Sequence, residues 1–198
     1  MRPASEVAVR QPAINEIEDL WETDTGKKIT LGELNGKVRV ISMFYASCQG
    51  VCVITKQAMQ AIEASLSSTS RGRVGFVLVT LDSGRDSVHA LRSYRRDEGL
   101  SPARWTLLRG SDGATSKLAR FLGVASGRDN SGRFIHGSQL VVLDESGRII
   151  HSHNGVRANL DLIAGEVEAA ALHKSPSQSS SSEGEPSRAS LAGGTRPQ

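Results

Sequence analysis

The chain has only two cysteines, few aromatic residues and no proline between Pro102 and Pro176, and each scarcity excludes something. Two cysteines cannot form a disulfide framework, so the fold must rest on its hydrophobic core. Eight aromatic residues (four Phe, two Trp, two Tyr) leave most of that core to Val, Leu, Ile and Ala. No apolar run is long enough to cross a bilayer. The formal net charge is +3. The basic residues are scattered, and no basic stripe interleaved with aromatics occurs, which argues against a nucleic-acid partner. Arg71, Arg73, Arg92, Arg95 and Arg96 read as solvated positions on or beside helices. Met1 to Glu6 lacks the apolar core of a signal peptide. Two settings follow: a cytoplasmic protein, or a sequence that lacks its export segment.

From Lys174 onward Ser, Gly, Pro and Glu dominate, a composition too poor in apolar surface to order itself. The expected organisation is a flexible segment over 1–14, one domain over 15–173, and a disordered tail over 174–198. Within the domain, strand and helix patterns alternate. Leu20–Thr23 and Lys28–Leu31 flank a turn at Thr25-Gly26, a hairpin pattern. Val38–Tyr45 and Val74–Leu81 are near-continuous apolar runs of the kind a parallel sheet buries on both faces. Val53–Leu66 predicts a helix with a stripe of Ile54, Ala58, Ile62 and Leu66. A further helix turns Val88, Leu91 and Tyr94 inward. A short strand around Trp105–Leu108 precedes a helix carrying Leu118, Phe121 and Leu122. Gln139–Leu143 and Arg148–His151 form a second hairpin about Asp144–Gly147, and a last helix carries Leu160, Ile163, Val167 and Ala171. The expected fold class is α/β, a mixed central sheet flanked by helices, thioredoxin-like, with an extra N-terminal β-hairpin.

Cys48 and Cys52 stand four residues apart where the first long strand gives way to a helix. The thiolate is the species that attacks disulfides and binds metals, and a helix N-terminus favours it. A disulfide closing so short a loop would remove little chain entropy, so stability alone is a poor reason for the pair. Redox chemistry or a soft metal ion is the better one, with two buried hydrophobe-like cysteines as the bland alternative. In a thioredoxin-like sheet the loop entering the strand at Gln139 faces the cysteine loop. Thioredoxins carry a cis-proline there, whereas here the neighbourhood holds His136. Two thiolates and one imidazole suit copper, while zinc would ordinarily require a fourth ligand.

Asp82 ends the strand Val74–Leu81 at the edge where α/β folds place their sites. Its carboxylate could steady His136 or screen a metal charge. Equally, it could be a turn residue helping Asp86 and Ser87 start the next helix. His151 and His153 share one face of a strand end and could hold a metal as a pair, although exposed histidines are common there. His89 and His173 are poor candidates.

Taken together, Gly36-Lys37, Phe44-Tyr45-Ala46-Ser47-Cys48, Cys52, Asp82 with Arg85-Asp86, Trp105, His136 and Asp144-Glu145-Ser146-Gly147 resemble the Sco/SenC family of copper-handling proteins over about residues 17 to 172. The departures are Gln49 and Val53 where the family usually has proline after each cysteine, and Asp82-Ser83 where it has Asp-Pro. The resemblance implies copper (Cu⁺ or Cu²⁺) held by Cys48, Cys52 and His136, with Cys48 and Cys52 as a redox couple. It further implies a location on the outer face of the bacterial inner membrane or in the mitochondrial intermembrane space. The implied role is to deliver copper to the dinuclear copper centre of cytochrome c oxidase, or to reduce that centre's cysteines. Its partners would be such a cuproprotein client and a thiol reductant. The alternative is a thiol–disulfide oxidoreductase. A peroxidase of the peroxiredoxin type lacks its Pro-x-x-x-Thr-x-x-Cys run here.

Overall fold

Seven strands form one mixed sheet in the order β2-β1-β5-β4-β3-β8-β9. They are β1 (Trp21–Thr23), β2 (Lys28–Ile29), β3 (Val38–Phe44), β4 (Val74–Thr80), β5 (Trp105–Arg109), β8 (Gln139–Leu143) and β9 (Ile149–Asn154). A separate antiparallel pair, β6 (Ser126–Arg128) with β7 (Phe134–His136), lies in the connection before β8. The helices are α1 (Val51–Ser65), α2 (Val88–Asp97), α3 (Asp112–Phe121) and α4 (Leu160–Leu172). The computed structural model describes residues 12–124, 126–128, 134–136, 139–155 and 159–173, with 126–128 and 134–136 described as backbone only. The tail over 174–198, residues 1–11 of the expected N-terminal segment and the side chain of His136 lie outside the described residues.

β4 is buried at every position, as a central parallel strand covered on both faces must be. It runs parallel to β3 and to β5, while β8 and β9 follow as an antiparallel pair. Successive side chains on a strand point to opposite faces and so divide the core in two. Val40, Phe76, Leu78, Leu107 and Val142 pack with residues of α1, α2 and α4. Ile41, Val77, Val79 and Val141 pack with α3, Trp21 and Ile29 of the N-terminal hairpin, and the short 3₁₀ turns at Ile14–Glu16 and Leu31–Leu34. Phe76 stacks on Trp105 with centroids 4.9 Å apart, and the Trp105 indole donates to Glu63 Oε2 at 2.6 Å. Ala13 pairs with Arg148 and Ile14 is fully buried, so the folded body includes both.

Both expected hairpins form. Gly26 (φ 85°) and Gly147 (φ 84°) supply the left-handed backbone their turns require. Three readings need correction. The first helix begins at Val51, two residues early, and its buried line runs through Cys52, Thr55, Met59 and Ile62, with Ile54 only half-buried. His136 stands in a short strand, not a loop. Arg95 is not solvated: its guanidinium grips both carboxylate oxygens of Asp24, Nη2 to Oδ1 at 2.5 Å, and donates to the Trp105 carbonyl at 2.9 Å. Asp24 follows β1 and is buried, so this pair fastens the N-terminal hairpin to α2. Trp21 adds a second fastening. Its indole lies so close to Gly110 that a Cβ there would come within 2.7 Å of the ring.

Candidate metal and redox site

β3 ends at Phe44 in the middle of the sheet, and the chain crosses from Tyr45 to Gly50 before α1 begins. Gly50 occupies the N-cap position and has no side chain to satisfy the first N–H groups of the helix. The Cys48 sulfur takes that role, receiving the backbone N–H groups of Gly50 and Cys52. Cys48 is half-buried, while Cys52 is buried in the core cluster beneath it. Both stand as thiols, and they share a hydrogen bond.

The two sulfurs are therefore unequal. Burial works to raise the Cys48 thiol, but hydrogen bonds from Cys52, from the two backbone N–H groups and from Tyr45 outweigh it and hold Cys48 below the ordinary thiol range. Burial, together with the hydrogen bond to Cys48, pushes the Cys52 thiol far up. The helix N-terminus thus favours the thiolate at Cys48, not at the residue inside the helix. Iodoacetamide at neutral pH is expected to label Cys48 at least about tenfold faster than Cys52, read by mass spectrometry of the reduced protein. The linkage signs are opposite. With its folded pKa depressed, Cys48 contributes stability above the unfolded thiol's pKa, lost as pH falls through the folded value. With its folded pKa raised, Cys52 contributes stability below the unfolded pKa, lost as pH rises toward the folded value.

The loop is tied to the neighbouring strand end. Leu81 N–H donates to the Phe44 carbonyl at 2.7 Å. The buried Asp86 carboxylate accepts from Ala46 N–H at 2.9 Å and from the Thr80 hydroxyl. Asp86 is the residue that sequence reasoning missed as part of the site. It reads as a helix-start residue, and its Ala46 partner is 40 positions away. Ser87 is the actual N-cap of α2, accepting from Ala90 N–H. Asp86→Ala would deprive the half-buried Ala46 N–H and the buried Thr80 hydroxyl of their acceptor. It should cost about 2–3 kcal/mol in urea unfolding and broaden the NMR signals of residues 45–50.

Asp82 is buried at the end of β4. Its carbonyl accepts from the N–H groups of Arg85 and Asp86, and its carboxylate lies 3.6 Å from Arg85 Nε. Tyr94 packs on Phe44 with centroids 4.9 Å apart. Burial, reinforced by the negative charges of Glu98 and Asp86 and by either cysteine sulfur when ionised, raises its phenol well above the usual range, so it stays protonated beside the pair. His136 pairs with Ser126 across β6 and β7 and precedes β8 by three residues. The first residue of β8, Gln139, accepts from the Ser42 hydroxyl near the end of β3 at 2.7 Å. Three residues span at most about 10 Å, so the His136 backbone lies at the cysteine end of the sheet. Two thiols, one of them held toward thiolate, form a donor set for a soft ion or for disulfide exchange.

Comparison with known proteins agrees with this geometry. No curated protein matches the chain. Among solved structures, copper-bound ScoI of Arabidopsis thaliana superposes with TM-score 0.68 at 18% identity, covering 77% of this chain and 94% of that one. A SCO1/SenC family lipoprotein of Bacillus anthracis gives TM-score 0.69 at 21% identity, covering 77% and 92%. BsSco, described as a member of the Sco family of cytochrome c oxidase assembly proteins with a disulfide switch, gives 0.68 at 21%, covering 83% and 99%. These likenesses establish the thioredoxin-like Sco fold. The family model described as SCO1/SenC matches residues 19–171, nearly the whole described domain, and the chain accordingly belongs to the SCO1/SenC family.

Proposed function

We propose that this protein is a copper metallochaperone, with copper as its cargo, held by Cys48, Cys52 and His136. The observation that carries the proposal is the unequal thiol pair at the start of α1. Cys48 is half-buried and held below the ordinary thiol range, so it is the more readily ionised sulfur for metal or disulfide, with Cys52 buried beside it. The donor set fits copper chemically: thiolates select soft ions, and an imidazole extends the set to Cu²⁺. Asp86 fixes the loop, and the protonated Tyr94 beside the thiols adds no charge to the site. Asp82 screens charge at the end of β4. Support also comes from the family and from relatives solved with copper bound.

The client is a cuproprotein such as the cytochrome c oxidase subunit that carries the dinuclear copper centre. The site of action is the outer face of the inner membrane, a setting that fits the Bacillus anthracis relative described as a lipoprotein. Among the described residues no helix is long and apolar enough to cross a membrane. A thiol reductant must keep the pair reduced for loading, because a disulfide presents no thiolate to the metal.

The thiol asymmetry also favours a second reading, a thiol–disulfide reductase acting on the client's cysteines. The Cys48 thiolate would attack the client disulfide and release one client thiolate, which takes up a proton. Cys52, after losing its proton, would then displace the second client thiol and close the Cys48–Cys52 disulfide. Two electrons pass from the pair to the client.

Copper titration of the reduced protein, followed by absorption and by electron paramagnetic resonance of the Cu²⁺ form, tests the first reading. A one-to-one complex with thiolate-to-copper charge transfer, abolished in Cys48→Ser, is expected. A folded, reduced protein that takes up no copper would leave the reductase reading, and the reduction potential of the pair would then be measured.

A further inference from the structure

The last strand of the sheet carries a second set of metal-type donors. β9 alternates between half-buried and exposed positions along its length, and His151 and His153 fall on the half-buried face. They pair across β8 with Val142 and Leu140, residues of the core cluster that also contains Ile163 and Val167 of α4. Their side chains therefore meet α4. Glu166 comes down from that helix between the two rings. Its Oε2 lies 2.6 Å from His153 Nε2, and its Oε1 lies 3.3 Å from His151 Nδ1. The two imidazole planes are 22° apart, with centroids separated by 6.3 Å.

We propose that His151, His153 and Glu166 form a second metal site, independent of the cysteine pair. It takes a late first-row divalent cation, with Cu²⁺ held more tightly than Zn²⁺. Three ligand atoms, one from each residue, already lie within 4.8 Å of one another. A tetrahedral ion with ligands at about 2.1 Å would set them about 3.4 Å apart. Each imidazole already has one Glu166 oxygen at or within that distance, His153 facing Oε2 and His151 facing Oε1, so the rings need to converge on a single ion from within 4.8 Å. His153 and Glu166 are each about 20% exposed and His151 is 37% exposed, which leaves a path for the ion and room for a water ligand.

Donor chemistry selects the cation. Two imidazoles and a carboxylate suit Zn²⁺, Ni²⁺ and Cu²⁺, and the divalent affinity order puts copper first. Without sulfur the set does not favour Cu⁺, and with two nitrogens it does not suit Mg²⁺ or Ca²⁺. The site thus differs in preference from the thiol pair. The carboxylate offsets one of the two ion charges, and neutral imidazoles are required, so affinity falls as the pH is lowered.

The test uses the full chain carrying Cys48→Ser, Cys52→Ser and His136→Ala, which removes the proposed cargo ligands. Titration with Zn²⁺ and with Cu²⁺ by calorimetry should give one equivalent, with Cu²⁺ bound at least tenfold more tightly. The Cu²⁺ spectrum should show coupling to two nitrogens. His151→Gln or His153→Gln in that background should weaken binding at least tenfold, and Glu166→Gln should also weaken it. As a second measurement that leaves the thiols intact, Zn²⁺ stoichiometry of the reduced wild type should exceed that of His151→Gln/His153→Gln by one equivalent. Absence of a one-equivalent complex in the folded background, or binding unchanged by the histidine substitutions, would overturn the site and reduce the cluster to an ordinary histidine–carboxylate contact. Neither result depends on the cysteine pair binding copper.

Discussion

His136→Ala is expected to weaken copper binding more than about a hundredfold while thiol–disulfide exchange with a small disulfide stays within about twofold. Loss of an outer-shell partner alone reduces metal affinity about 10–100-fold, and removal of a direct ligand should exceed that range. The exchange rate should survive because the donors that hold Cys48 toward thiolate are Cys52, the Gly50 and Cys52 N–H groups and Tyr45, none of them on the β6–β7 hairpin. The two readouts are a competition titration against a copper chelator and stopped-flow reduction of an aromatic disulfide. If the variant kept full copper affinity, the three-ligand site would be wrong, and a thiol-only site with an external ligand would replace it. Loss of both activities together would point to a collapsed loop, not to a missing ligand.

The largest stability effect is expected at Asp24→Ala, about 3–5 kcal/mol in urea unfolding. Asp24 is 2% exposed and its partner Arg95 12% exposed, and the guanidinium meets the carboxylate through two nitrogens. Such a pair is strongly destabilising to break, because the remaining guanidinium stays buried without its counter-charge. It is much less costly to replace as a unit. Asp24→Leu combined with Arg95→Met should therefore recover a large part of the loss, and a double-mutant cycle would show coupling above about 2 kcal/mol. If the single variant lost less than about 1 kcal/mol, the pair would be an ordinary surface contact. Against a typical total stability of about 5–15 kcal/mol, the expected loss would leave a markedly weakened domain.

The strands and helices that could be read from the chain are those whose pattern is local. β4 shows as an unbroken apolar run because both its faces are covered, and the two hairpins show through turns at Gly26 and Gly147. The cysteine pair and the placement of Asp82 at a strand end were legible for the same reason. What could not be read depends on partners far away in sequence. Arg95 looks like any helix-surface arginine until Asp24, 71 residues earlier, is brought beside it. Asp86 looks like a helix-start residue until the loop at Ala46 folds onto it. Which thiol is favoured depends on the helix starting at Val51 and on the N–H groups that then point at Cys48, a matter of two residues in a boundary. The strands β6 and β7 are three residues each in a stretch rich in Gly, Ser and Arg, with no alternation to mark them. The meeting of His151, His153 and Glu166 needs the register of β9 against α4, which no periodicity encodes.

The N-terminal hairpin began as an apparent addition to a common fold, yet it has ceased to be removable. Its Trp21 occupies ground that only a glycine at 110 leaves open, and its Asp24 supplies the carboxylate that the Arg95 guanidinium grips. The remainder of the domain has thus been shaped around the appendage. Four positions in three separate stretches of chain (21, 24, 95 and 110) hold the hairpin against the body together. A domain without the hairpin would keep a slot at Gly110 and a charge at Arg95 with nothing to fill them, so the ornament is part of the frame.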